Sequence, residues 1–238
     1  TGSSLTADSM NGAAGYASTP ASTAVPTRSF VVVSNATITL NGTVLTGKNY
    51  NGLTFPTIGN WPSGTDKSEV VDEIRLDSGS ALYLRNIIKD SSRAAKIVFN
   101  GGKVYSNGQR GTQGGPFISS TGNSKGSPLY IESINSQPIW IECSHANISY
   151  LCSVSSKSCQ IHFTGDGDFV KGGTVKLSLM NTGYLDTENP NLRFLNTGSF
   201  RVVEGGISIG NSALVTNCAS SVAHEWVIEP EGLLDLTV

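Results

Sequence analysis

Residues 177–185 read LSLMNTGYL and residues 192–200 read LRFLNTGSF. Both copies follow one frame: apolar, any, apolar, three residues, small, any, apolar. The frame recurs at Ile161, Phe163, Gly167, Phe169, and with Ala at the small position at Ile207, Ile209, Ala213, Val215. A last copy is Trp226, Ile228, Gly232, Leu234. Successive copies start 16, 15, 15 and 19 residues apart. Nearer the N-terminus, Ile74, Leu76, Ser80, Leu82 fit, and Ile38, Leu40, Gly42, Val44 fit in part.

The alternating apolar pair is a strand with one buried face. The small residue permits a sharp bend, and the next apolar residue opens a second strand. One such unit cannot bury its own apolar face, whereas a stack of them makes a continuous core. This predicts an all-β fold, a β-solenoid of the parallel β-helix kind with an extended N-terminal arm. Asn-Thr-Gly also suits a short hairpin loop, so the alternative is an antiparallel β-sandwich. The near-constant spacing and the apolar flanks of each turn favour the solenoid. No stretch carries the caps and 3.6-residue period of a long helix.

Outward from the repeats, the chain divides in two. Residues 1–28 are small and aperiodic and are expected to be a flexible arm. Residues 29–238 form a single β-rich domain, with repeats clearest in 161–238. The apolar run Phe30, Val31, Val32, Val33 sits where the two meet. A long loop is expected at 47–67, where Gly, Pro and Asn accumulate, and a second polar stretch runs over 106–127.

Composition excludes several classes. Charged residues are 14% of the chain and the formal net charge is -2, with no Lys/Arg cluster to supply the footprint of a nucleic-acid binder. No apolar run approaches the length of a membrane-spanning helix. Ser 32, Thr 21, Asn 18 and Gly 27 make 98 of 238 residues, a polar-surfaced and turn-rich composition. Cys143, Cys152, Cys159 and Cys218 contain no C-x-x-C pair, and an even count suits disulfides in an oxidising compartment, with three possible pairings. The localisation expected is extracellular or cell-surface.

A strand, Gly, strand pattern repeated in a weakly charged Gly/Ser/Thr/Asn-rich chain resembles the β-helical passengers of bacterial surface proteins. It is similar also to phage tail spikes and β-helical polysaccharide lyases. The resemblance covers roughly residues 70–238 and implies a β-helix; it matches no catalytic motif.

The densest polar cluster is Gly165-Asp166-Gly167-Asp168 with Lys171 behind it. Asp166 and Asp168 could hold Ca²⁺ through carboxylate oxygens, or act with Lys171 as acid and base on a uronic-acid sugar. A polar turn accounts for the same residues. Asp186 and Glu188, with Glu204 farther on, form a second acidic group and read as solvated loop carboxylates. His145, His162 and His224 lack metal-ligand spacing, and no nucleotide or nucleophile-elbow motif occurs. Among the aromatics, Trp226, Phe163, Phe169, Phe194 and Phe200 occupy core positions of the repeat. Trp61, Trp140, Trp226, Tyr83, Tyr105, Tyr130 and Tyr150 could form a sugar platform, and Trp61, in a loop, is the expected contact aromatic.

The function expected is that of an extracellular structural or adhesive protein, self-assembling by strand addition of the arm through Phe30–Val33, with no cofactor. The alternatives are a polysaccharide lyase or tail-spike depolymerase, and a carbohydrate-binding module. The balance is against an enzyme, and the partners expected are other copies of the chain or a polysaccharide.

Overall fold

A computed structural model describes residues 4–7, 28–32, 34–40, 44–46, 71–90, 94–106, 115–121, 128–154, 159–181, 192–208 and 225–235. All regular structure in them is β. The first strands are β1 (Ser4–Ala7), β2 (Arg28–Val32), β3 (Thr37–Leu40), β4 (Val44–Thr46), β5 (Val71–Asp77) and β6 (Ala81–Leu84). Next come β7 (Ile87–Asp90), β8 (Ala94–Asn100), β9 (Lys103–Ser106), β10 (Gly115–Thr121), β11 (Leu129–Ser133) and β12 (Ile139–Glu142). The last are β13 (Ile148–Val154), β14 (Ile161–Thr164), β15 (Phe169–Gly172), β16 (Lys176–Asn181), β17 (Leu192–Phe194), β18 (Phe200–Ser208) and β19 (Trp226–Asp235).

The pairing rule is simple. From β2 onward each strand pairs in parallel with the strand three places along the chain, up to the C-terminal end. One sheet runs β2-β5-β8-β11-β14-β17. A larger, curled sheet runs β1-β3-β6-β9-β12-β15-β18 and returns through β16-β13-β10-β7-β4, with β19 on β18. A parallel pair needs a crossover connection; here two further strands supply it instead of a helix. Between named strands every ladder is parallel, so the antiparallel sandwich gives way. The one antiparallel contact among the described residues is the isolated bridge Asp77–Gly101.

The register corrects the repeat length. Leu129, Ile161 and Leu192 are partners across β11, β14 and β17, so equivalent residues are 32 and 31 apart. The copies at 177 and 192 lie in different sheets, β16 and β17. Trp226 pairs with Phe200 and therefore takes the place of the strand after the turn, out of phase with the earlier copies. The interval of 15–16 residues is half the true period, because strands of both sheets carry the same apolar alternation.

That alternation produces the core. β6 and β9 alternate half-buried and buried, and β11 does the same in the opposite phase. Phe163, Phe169, Phe194 and Phe200 are buried, as their repeat positions predict, and Trp226 packs half-buried against them. Phe163 stacks on Phe194 at 4.5 Å, Phe169 lies 4.6 Å from Phe200, and Phe200 stacks on Trp226 at 4.1 Å. Each such ring contributes about 1.5–3 kcal/mol by burial.

Ser4–Ala7, within the stretch expected as a flexible arm, pairs in parallel with Thr37–Leu40. Phe30, Val31 and Val32 lie in β2 and pair with Ile74, Arg75 and Leu76 of the same chain, which takes one edge of that run out of use for a neighbour. Val33, Trp61, Asp186, Glu188, Cys218 and His224 lie outside the described residues. Cys143 and Cys152 are buried free thiols, and Cys159 is buried.

Candidate functional site

The strands β9, β12, β15 and β18 place Lys103, Trp140, Val170 and Arg201 in one register row. Their chain neighbours Val104, Ile139, Ile141, Phe169 and Val202 are core residues, so alternation turns this row outward. Val170 is short and its neighbours in the row are long. A groove of about 550 Å³ is lined by Trp140, Val170 and Arg201 of this row together with Pro138 and Val203, with Val170 itself buried. Ser136, Asp166, Asp168 and Glu229 complete its polar lining.

A second row beside the first carries Tyr83, Tyr105, Glu142 and Gly172. Tyr83 and Tyr105 stack with ring centroids 4.5 Å apart. Burial raises the Tyr105 phenol above its ordinary pKa, and Glu142 and Tyr83 add to the shift. Trp140 Nε1 donates to Glu142 Oε2 at 3.2 Å, and Lys103 Nζ lies 3.5 Å above the indole. Gly172 has no side chain to crowd the indole: a Cβ there would meet Trp140 Nε1 at 3.2 Å. The outcome is an aromatic strip, Tyr83, Tyr105 and Trp140, leading into the groove.

The carboxylates of the groove are all engaged. Asp166 sits in the turn between β14 and β15, where Gly165 has φ +97 and a Cβ would stand 1.9 Å from the Ser133 carbonyl oxygen. That turn can therefore be made only by glycine. Asp166 accepts the Ser136 hydroxyl at 2.8 Å and the Ser136 amide at 3.0 Å. Those bonds, the Ser136 hydroxyl foremost, hold its carboxyl below the ordinary aspartate pKa. Asp168 accepts the Ser199 amide at 2.8 Å and faces Arg201 at 3.6 Å. Glu229, from β19, pairs with the same guanidinium, which lies between two acids.

Lys171 is not in the groove. It is fully buried, and its ammonium donates to the carbonyls of Gly173 at 2.5 Å, Val175 at 2.6 Å and Glu204 at 2.8 Å. Burial lowers its pKa to about 8, against the opposing pull of Cys143, Glu204 and Glu142. The fold thus brings Asp166 and Asp168 to one groove and turns the third member of the cluster into a brace for the bend after β15. Among the described residues no group of three or more His, Cys, Asp or Glu could hold a metal ion. The carboxylate oxygens of Asp166 and Asp168 bond the Ser136 hydroxyl, the Ser136 and Ser199 backbone amides and Arg201.

The smaller sheet carries its own outward row, Glu73, Lys96, Tyr130, His162 and Arg193. Lys96 is paired with Glu73 at 3.1 Å and Glu132 at 3.3 Å. His162 packs edge-on against Tyr130, and its Nε2 is buried without a hydrogen bond. His145 bonds Ser106 at 3.0 Å and takes no part in the groove. Arg201 and Glu229 are the groove residues that sequence reading passed over. Both come from strands remote from Asp168, and only the register reveals the cluster. No protein-family model, curated protein or solved structure matches this chain.

Proposed function

We propose that the chain is a β-solenoid, three strands to a coil, which binds polysaccharide without cleaving it. Pairing of each strand with the third one along supports the solenoid, since it is the pattern of a chain wound into stacked coils. The observation that carries the binding role is the strip Tyr83–Tyr105–Trp140 running into the groove between Trp140 and Arg201. Aromatic rings supply apolar area for sugar faces, and convergent polar groups fix hydroxyls. A glycosidase acid needs a carboxyl whose pKa is raised. Asp166 is shifted the other way, and the only lysine of the cluster is locked to three carbonyls. An adhesive protein at a cell surface, or a filament decorated with such grooves, is the setting that fits this reading.

Affinity electrophoresis through gels holding neutral, amino-bearing and acidic polysaccharides tests it. Retardation of the protein, lost in Trp140→Ala, supports binding. Absence of retardation on every polymer sinks it, and release of unsaturated or reducing ends from any of them would restore the enzyme.

Self-assembly by strand addition is the second reading. β19 exposes Ile228 and Leu233. The same strand carries Glu229, Pro230 and Glu231, and charge and proline are what natural edges use against pairing.

A further inference from the structure

We infer that Tyr83 and Tyr105 form an oxidative cross-linking site, where hydrogen peroxide acting through a haem peroxidase joins the two rings as an intrachain dityrosine and fastens β6 to β9.

The placement comes from the ladder. β6 and β9 are adjacent parallel strands, and Tyr83 is the register partner of Tyr105. Neighbouring strands lie about 4.8 Å apart, so in-register side chains on one face meet ring to ring. Here the centroids are 4.5 Å apart and the planes 13° from parallel. Leu82, Leu84 and Val104 anchor both strands in the core, while the two rings sit half-buried on the outer face, within reach of an oxidant in solvent.

The pair is set apart from the other tyrosines. The row ends the stack on both sides, because the other register partner of Tyr83 is Thr39 and that of Tyr105 is Glu142. Tyr130 lies in register with Lys96 and His162, and Tyr150 with Pro116 and Ser178. Among the described residues, therefore, no other tyrosine has a second tyrosine as its register partner.

The chemistry balances with peroxide as the oxidant. Each phenol gives up one electron and one proton and becomes a neutral phenoxyl radical, whose unpaired spin reaches the ring carbons ortho to the oxygen. The two electrons and two protons reduce one hydrogen peroxide to two waters. A carbon–carbon bond then forms between one ortho carbon of each ring, after the rings tilt about their Cβ–Cγ bonds. The hydrogens on those carbons move to the oxygens, which restores two aromatic phenols. The chain has lost two hydrogens in all. Because the rings are held together before oxidation, the coupling is effectively unimolecular and outruns coupling between chains in dilute solution.

The test treats dilute wild type, Tyr83→Phe and Tyr105→Phe with a haem peroxidase and hydrogen peroxide. A parallel arm uses a photo-oxidised ruthenium complex with persulfate, which is small enough to reach a half-buried ring. Wild type should stay monomeric, gain dityrosine fluorescence in a yield per chain that does not change on dilution, and give a linked peptide containing residues 83 and 105 that is two hydrogens lighter. Either Phe variant keeps a ring in the stack without a phenol and should lose that fluorescence, with an unchanged circular dichroism spectrum. Should a variant misfold, the peptide map of wild type decides alone. Fluorescence retained in either folded variant, links dominated by other tyrosines or by separate chains, or no dityrosine from either oxidant overturns the inference.

Discussion

Gly198 lies against Gly167 in the neighbouring turn, so close that a Cβ on Gly198 would stand 2.4 Å from the Gly167 carbonyl carbon. The obstacle is backbone on both sides, and no side chain can swing away. The turns that follow β14 and β17 are thus stacked on glycine, with Asn196 Nδ2 donating to the Gly167 carbonyl at 3.0 Å. Gly198→Ala should therefore destabilise the protein by about 1–3 kcal/mol through overpacking. The midpoint of urea unfolding measures it, and an unchanged midpoint would mean that the turns are free to separate.

These glycines show what the sequence made legible and what it hid. Gly167 and Gly198 were visible as the small position of a repeat, and the apolar pairs beside them, Ile161/Phe163 and Leu192/Phe194, marked strands that the structure retains. The period was misjudged because Leu177 and Leu192 carry the same local pattern while belonging to different sheets. Local pattern reports which face of a strand is buried and not which strand lies next to it. The same limit applies to the site. Asp166 and Asp168 are legible because they stand two residues apart in sequence, whereas the Arg201–Glu229 pair spans 28 residues and depends on register alone.

His162 provides a stability response to acid. Burial, and secondarily the charge of Arg193, lowers its pKa from 6.5 to about 4. The unfolded chain therefore binds the proton more readily than the folded one between those values. The stability contributed by the neutral ring is present above pH 6.5 and is lost as pH falls toward 4. Thermal unfolding followed from pH 7 to pH 4 should show a falling midpoint, and His162→Gln should flatten that fall. An identical slope in the variant would assign the acid sensitivity elsewhere.

The cysteines make a chemical prediction. Burial raises the Cys143 thiol to about 12 and pushes that of Cys152 higher still, so neither forms appreciable thiolate at pH 8. Both should resist a disulfide exchange reagent in the folded protein and react in denaturant. A thiol titration with and without guanidinium reads this directly. Prompt reaction of the folded protein at Cys143 or Cys152, located by peptide mapping, would contradict the packing described.

Lys171 is a fully buried ammonium. Its three N–H donors meet the carbonyls of Gly173, Val175 and Glu204, and so tie the bend after β15 to β18. Lys171→Met keeps the bulk but leaves those acceptors without a donor, at a cost of about 1–3 kcal/mol near pH 7. The pH dependence has a definite sign. The folded pKa near 8 lies below the ordinary 10.5. Over that interval the unfolded chain holds the proton that the folded chain has released, and stability relative to Lys171→Met rises with pH. Urea unfolding of both proteins at pH 7 and pH 9.5 should thus show a gap that widens at the higher pH. A gap that is constant or narrows would mean that the ammonium, held by its three carbonyls, stays protonated in the folded state throughout.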